Sequence, residues 1–281
     1  MTTLLATDCP DADHFIRVAQ SAALEAGRYV SSHFKGPITV DYKARSSDVV
    51  TEHDRRAEQM IRKAILAAAP ASQIWGEEYG GGGEGEVVWY VDPIDGTSNF
   101  AGGLPYYCVS IGVAWRGRLL GGVIYDPERD EMFVGSAEGL RLNNRAAGSR
   151  GQPRDSDSVC LTNLPHEGMD DRLGLEALGD LLVRFRAVRR LGSSALALAY
   201  VATGRADVCC ELTTKPWDHA AGAALVLAGG GGFAGLDSGG RESGDMGAVA
   251  HYVAYGAGFG FSGSVLNAIL NKAPGVRSDV Q

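Results

Sequence analysis

The segment Asp92-Pro93-Ile94-Asp95-Gly96-Thr97 sets two carboxylates three residues apart, immediately after the apolar run VVWYV (87–91). Pro93 fixes its own φ and holds Asp92 extended. Gly96 permits a positive φ or a close approach of backbone. In such a bend two carboxylates can converge on one point, and two anions that close do not both ionise cheaply without a cation between them. Oxygen-only ligands, with the Ile94 carbonyl as a further donor, suit a hard cation such as Mg²⁺ or Mn²⁺. Gly96 and Thr97 add amide N–H groups and a hydroxyl that suit an anion. The simpler alternative is a turn whose aspartates only bond the local backbone.

Three other segments carry the same kind of chemistry. Glu77 and Glu78 lie in GEEYG (76–80), after a short β-prone stretch at 73–75. Asp218 lies in KPWDHAAGAALVLAGG (215–230), where by itself it reads as the N-cap of a helix from His219 to Ala228. Lys43, Asp48 and Thr51 lie in KARSSDVVTEHD (43–54), which leads into another helix.

GEE, DPIDGTSNF and WDHAAG, in this order and spacing, resemble the inositol monophosphatase family, within the metal-dependent, lithium-sensitive phosphatase superfamily. The upstream segment ending SDVVTEHD and the stretch RRLGSSALALAYVATGRADVCCEL extend the resemblance over about residues 13–232. It implies that Glu77, Asp92, the Ile94 carbonyl, Asp95 and Asp218 are metal ligands, with Asp92 bridging two Mg²⁺ ions. A third, weaker Mg²⁺ would sit on the Glu77 side, and Mn²⁺ is a possible substitute. The resemblance implies that Asp48 and Thr97 position and deprotonate the attacking water, with Glu77 also catalytic. Asp95, Gly96, Thr97, Ser193, Ser194 and Glu211 would bind substrate, with Lys43 and Glu78 as peripheral members. The implied fold is a layered αβαβα sandwich, of mixed α/β class, and the implied assembly is a homodimer.

The implied reaction is Mg²⁺-dependent hydrolysis of a small hydroxylated monophosphate, inositol monophosphate first. Histidinol phosphate and a sugar or nucleoside phosphate of a dedicated pathway are the alternatives within the family. A non-catalytic phosphometabolite-binding or regulatory protein is the alternative of another class. The stretch HYVAYGAGFGFSGSVLNAILNK (251–272) departs from the usual family ending, which leaves the substrate open.

The bulk composition agrees. With 281 residues, 45% hydrophobic and 21% charged, the chain has the size and make-up of an ordinary soluble globular protein, read as one unit over 1–281. A formal charge of −8 argues against a nucleic acid polymer as partner. It does not argue against a small phosphorylated metabolite, because bound cations invert the local charge. Five cysteines without a C-x-x-C pair are expected reduced and buried, Cys209 and Cys210 on opposite faces of a strand. The N-terminus lacks the marks of a secretory signal, and no apolar run approaches the ~20 residues of a membrane span. The expected compartment is the cytoplasm, with no membrane partner.

The elements that would position these groups follow from periodicity. Apolar positions in 11–34 and from Thr51 to Ala69 predict two amphipathic helices, with Pro70 ending the second and His53 on its solvent face. The run YGGGGEGE (79–86) is expected to be loop. Strands are expected at 87–91, 106–115, 118–126 and 131–135, with a hairpin turn at the Arg116-Gly117-Arg118 junction, so that residues 1–150 read as helices followed by an antiparallel sheet. Residues 151–281 alternate: strands at 159–162, 185–190 and 206–212, helices at 171–183, 194–203 and 219–228. His219 is expected packed or solvated, and the glycine run 228–232 a helix C-cap and turn.

Overall fold

The computed structural model describes residues 5–36, 40–42, 49–165 and 171–272. Helix α1 (Ala12–His33) buries Ile16, Ala19, Ala22, Ala23, Ala26 and Val30, the stripe its spacing predicts. Strands β1 (Val40–Tyr42) and β2 (Val49–Thr51) form a short antiparallel ladder. Thr51 then caps α2 (Glu52–Ala68) through a capping box with Asp54. Lys43 and Asp48 lie outside the described residues. His53 is not on a solvent face: it is buried, its Nδ1 3.0 Å from the Tyr29 hydroxyl and its ring 4.5 Å from that of His33. The reason is tertiary, since α1 lies across that side of α2.

The first sheet has eight strands among the described residues: β3 (Ser72–Gly76), β4 (Gly80–Gly82), β5 (Val87–Asp95), β6 (Cys108–Trp115), β7 (Arg118–Asp126), β8 (Glu131–Ser136), β9 (Gly139–Leu142) and β10 (Arg145–Ala147). Their order is β10-β9-β8-β7-β6-β5-β3-β4, antiparallel except for the β3/β5 pair. Arg116 (φ 51°) and Gly117 (φ 74°) make the expected two-residue hairpin. The glycine run does not stay a loop. Residues 80–82 pair with β3, because a ladder needs only backbone groups, and the Trp75 ring lies over Gly81. Strands β9 and β10 were not expected either; they are too short to show a periodicity.

After the short helix α3 (Thr97–Ala101), which follows β5, the second half builds β11 (Val159–Thr162), α4 (Asp171–Arg184), β12 (Ala187–Arg189), α5 (Ser194–Ala202), β13 (Val208–Glu211), α6 (Pro216–Ala228), β14 (Gly232–Asp237), β15 (Val249–Tyr255) and α7 (Val265–Lys272). The second sheet runs β12-β11-β13-β15-β14; β11 is parallel to both neighbours and β15 antiparallel to both of its own.

The layers are those of an αβαβα sandwich. Helices α1 and α2 cover one face of the first sheet, α5 and α6 lie between the sheets, and α4 and α7 pack at the far side of the second. The central layer is thin because α6 presents Ala220, Ala221, Ala223 and Ala224, all fully buried, to strands that carry glycine. A Cβ on Gly122 would lie 2.5 Å from the Ala221 Cα, so only glycine admits the helix at this depth. The apolar core between the sheets draws on both halves, joining Ile124 and Phe133 to Leu196, Leu225 and Tyr252. All five cysteines are buried and free, and Cys209 faces this central core while Cys210 faces the outer one.

Candidate active site

The two aspartates of DPID lie inside β5, not past its end. β5 pairs with β6 with a break in register: Asp92 faces Ser110 and Asp95 faces Cys108, so the Pro93-Ile94 pair bulges out. Asp92 is 2% exposed and its Oδ1 accepts the Ile94 N–H at 3.0 Å. Gly96 (φ 99°) then opens α3. A Cβ there would strain a left-handed backbone and meet the Tyr106 carbonyl at 3.0 Å and the Gly192 carbonyl at 3.2 Å. Thr97 follows in the first turn. Its hydroxyl lies 2.9 Å from Asp54 Oδ1 and 2.9 Å from the Ile94 carbonyl, so its single proton is shared between two acceptors.

Asp95 is gripped from the other half of the chain. The Ser193 hydroxyl and the Ala195 N–H (2.6 Å) donate to Oδ2, and the Ser194 N–H donates to Oδ1 at 3.2 Å. Ser193 is also the N-cap of α5, accepting from Leu196 N–H. Glu211, at the end of β13, is 1% exposed; its Oε1 accepts the Asn163 N–H at 2.8 Å and its Oε2 is buried without a partner. The Asn163 side chain donates to Ser194 Oγ at 3.1 Å and accepts the Gly192 N–H at 3.0 Å.

Helix α6 starts at Pro216, three residues before the expected His219, so Asp218 is not an N-cap. It is the third helical residue, within the first turn, and its Oδ2 accepts the Lys215 N–H at 2.7 Å. Proline at the first position costs no hydrogen bond and moves the start upstream. His219 is fully buried and packed, its ring nitrogens near Thr214 Oγ1 and the Met246 carbonyl. Burial pulls its pKa down to about 4, so it is neutral. Glu77 and Glu78 are half-buried at the end of β3. The Glu77 N–H bonds the Val91 carbonyl, which ties this turn to β5. Glu58, fully buried and paired with Arg62 at 3.0 Å, accepts the Glu78 N–H at 2.7 Å.

These placements gather acidic charge. Burial pushes the Asp92 carboxyl well up, and Glu77, Asp95, Asp218 and Asp54 push it further. Asp95 is raised to about 6 by burial, opposed by its bond from Ser193 and assisted by the Asp218 charge. Asp54 is raised to about 6 by burial against its bonds from Thr51 and Thr97. Burial likewise raises Glu211, with Asp218 and Asp95 adding to it. Among the described residues no arginine, lysine or histidine pairs with Asp92 or Asp95. The donor set is hard oxygen throughout, which fits divalent Mg²⁺ or Mn²⁺. The carboxylates stand in electrostatic reach of one another and are turned to protein donors; among the described residues no three acidic, imidazole or thiol groups close tightly on a single point.

The structure thus brings together Glu77, Asp92, Ile94, Asp95, Gly96, Thr97, Ser193, Ser194, Glu211 and Asp218 from five segments. Sequence reasoning missed three supporting residues. Asp54 had a signal, the T-x-x-D spacing from Thr51 that marks a capping box. Asn163 and Glu58 had none, since their partners are 29 to 48 and 20 residues away.

Comparison with known proteins identifies the family and the fold. Residues 11–257 match the model of the inositol monophosphatase family. An inositol-1-monophosphatase of Mesorhizobium japonicum is 36% identical over 239 residues, covering 83% of this chain and 90% of the relative. The Nus factor SuhB of Escherichia coli is 37% identical over 222 residues, covering 77% and 83%. The crystal structure of the extragenic suppressor protein suhB from Bartonella henselae superposes with a TM-score of 0.80 at 30% identity, covering 95% of this chain and all of the other.

Proposed function

This chain belongs to the inositol monophosphatase family, and from that premise we propose that it is a divalent-metal-dependent phosphomonoester hydrolase acting on a small hydroxylated monophosphate such as an inositol monophosphate. The observation that carries the reading is Asp92: a carboxylate buried to 2% exposure, within electrostatic reach of Glu77, Asp95, Asp218 and Asp54, with no side-chain cation paired to it among the described residues. Such a cluster is costly unless cations enter it.

Glu77, Asp92, the Ile94 carbonyl, Asp95 and Asp218 would hold two to three Mg²⁺ ions. Bound there, the ions would supply Lewis acidity toward water and phosphoryl oxygen. The protein's own groups do the rest. Thr97 Oγ takes the proton of an attacking water as its own passes to Asp54 Oδ1, 2.9 Å away. With a pKa near 6, Asp54 is ionised at neutral pH yet basic enough to accept it. The family resemblance assigns that role beside Thr97 to Asp48, so both carboxylates are candidates for it. The backbone N–H groups at Gly96 and Thr97 suit phosphate oxygens, and Glu211 with Ser194 suits substrate hydroxyls. We take residues 1–281 to be one catalytic unit that works as a homodimer in the cytoplasm; among the described residues no helix is long and apolar enough to cross a membrane.

The test is phosphate release from a panel of phosphomonoesters with Mg²⁺, with and without EDTA. Turnover abolished by EDTA supports the reading, and no turnover on any ester sinks it. A relative of equal similarity bears the name Nus factor, so a non-catalytic, partner-binding role is the second reading. Tight binding of a phosphometabolite without turnover would favour it.

A further inference from the structure

Asn163 bonds the segments that carry the proposed substrate-binding residues Glu211 and Ser194. Its backbone N–H holds Glu211 Oε1 at 2.8 Å, its side-chain oxygen accepts the Gly192 N–H at 3.0 Å, and its side-chain NH₂ donates to Ser194 Oγ at 3.1 Å. The Arg190 guanidinium steadies its backbone from outside, donating to the Asn163 carbonyl at 3.2 Å. The amide therefore has a chemical consequence as well as a mechanical one. A serine hydroxyl that accepts a bond keeps its own proton for another acceptor. Ser194 therefore keeps its hydroxyl proton available to donate. Glu211 lies alongside with Oε2 buried and unpartnered, which leaves an acceptor position that calls for a further bond.

We propose that Asn163 is a positioning residue for substrate: it pins the Gly192–Ser194 turn against the end of β11 and fixes Ser194 as a hydrogen-bond donor, opposite Glu211 as an acceptor, for vicinal hydroxyls of a polyol monophosphate. This rests on the phosphatase reading above. Asp95 keeps its own donors from Ser193, Ser194 and Ala195 when the Asn163 amide is removed, so the chemical step is spared.

Two variants separate the parts. Asn163→Ala removes both side-chain bonds. Asn163→Asp keeps an acceptor for Gly192 N–H but, being ionised, makes Ser194 donate to it and takes that donor from the substrate. Both should raise KM for myo-inositol 1-phosphate about tenfold, with kcat within about twofold. For p-nitrophenyl phosphate, which has no vicinal hydroxyls, KM should hardly move. Amide hydrogen exchange over residues 192–195 should quicken in Asn163→Ala only. An unchanged KM for the inositol ester in both variants, or an equal rise for both esters, overturns the proposal. If the wild type hydrolyses neither ester, the phosphatase reading fails and substrate positioning with it. The exchange measurement then decides the pinning alone, and unchanged exchange in Asn163→Ala overturns that too.

Discussion

The Thr97 hydroxyl meets Asp54 Oδ1 at 2.9 Å, across 43 residues of chain, while Asp54 Oδ2 accepts the Thr51 N–H at 2.8 Å. One carboxylate thus closes the first turn of α2 with one oxygen and holds a proposed catalytic hydroxyl with the other. Desolvation raises its pKa to about 6, the range in which a base is both present and useful at neutral pH.

Asp54→Asn tests that double role. The amide oxygen still accepts from Thr51 or Thr97, but no proton leaves to it. We expect kcat to fall about 10²- to 10⁴-fold, the usual contribution of a general base. Loss of the cap should cost only about 1 kcal/mol, seen as a small drop in Tm. Near-normal kcat with a lowered Tm would assign Asp54 to structure alone.

Asp95→Asn should leave the fold standing and abolish turnover. The replacement is isosteric, but its NH₂ cannot accept from the donors that Asp95 now satisfies at Ser193, Ser194 and Ala195. An unsatisfied buried donor costs about 1–3 kcal/mol, partly offset because a buried negative charge is removed. Phosphate release, circular dichroism and the Mg²⁺ concentration dependence measured together check this. Wild-type turnover would refute the metal assignment of Asp95.

Stability should respond to pH and to Mg²⁺ together. The folded protein raises Asp54 and Asp95 to about 6, so it holds their protons more tightly than the unfolded chain does. Their contribution to stability is full below the unfolded carboxylate range and is lost as pH rises through about 6. Divalent cations compete with those protons and restore stability where the groups are ionised. The rise in Tm on adding Mg²⁺ over EDTA should therefore be larger at pH 7.5 than at pH 5. Equal rises at both pH values would contradict the electrostatic account.

Gly122→Ala should disturb a site it does not touch. The added methyl would lie 2.5 Å from the Ala221 backbone, pushing α6 off the first sheet. Overpacking of this kind costs about 1–3 kcal/mol. Because α6 carries Asp218 in its first turn, the Mg²⁺ concentration for half-maximal activity should rise as well. A lowered Tm with unchanged Mg²⁺ dependence would separate the packing from the site.

The elements that repeat a period over many residues were legible in the chain itself. The stripe of α1, the capped start of α2, strands β5 to β8 and the alternating second half all follow from which residues recur at 3.6 or at 2. The acidic residues were singled out by the family resemblance that DPIDGT, GEE and WDHAAG carry together, since each string alone also reads as a turn, a solvated strand end or a helix cap. What stayed hidden depends on partners far along the chain. The glycine run at 80–82 becomes a strand only because β3 offers it a ladder. His53 is buried only because α1 lies across α2, and α6 begins at Pro216 with Asp218 within its first turn. Asp54 reaches Thr97, and Asn163 reaches Gly192, Ser194 and Glu211, only once two sheets and three helical layers have been packed. A sequence determines which groups are available and what local shape each prefers. Desolvation, mutual repulsion and hydrogen bonding between distant groups exist only when packing removes the water between them, so the tertiary structure alone decided their protonation and their partners.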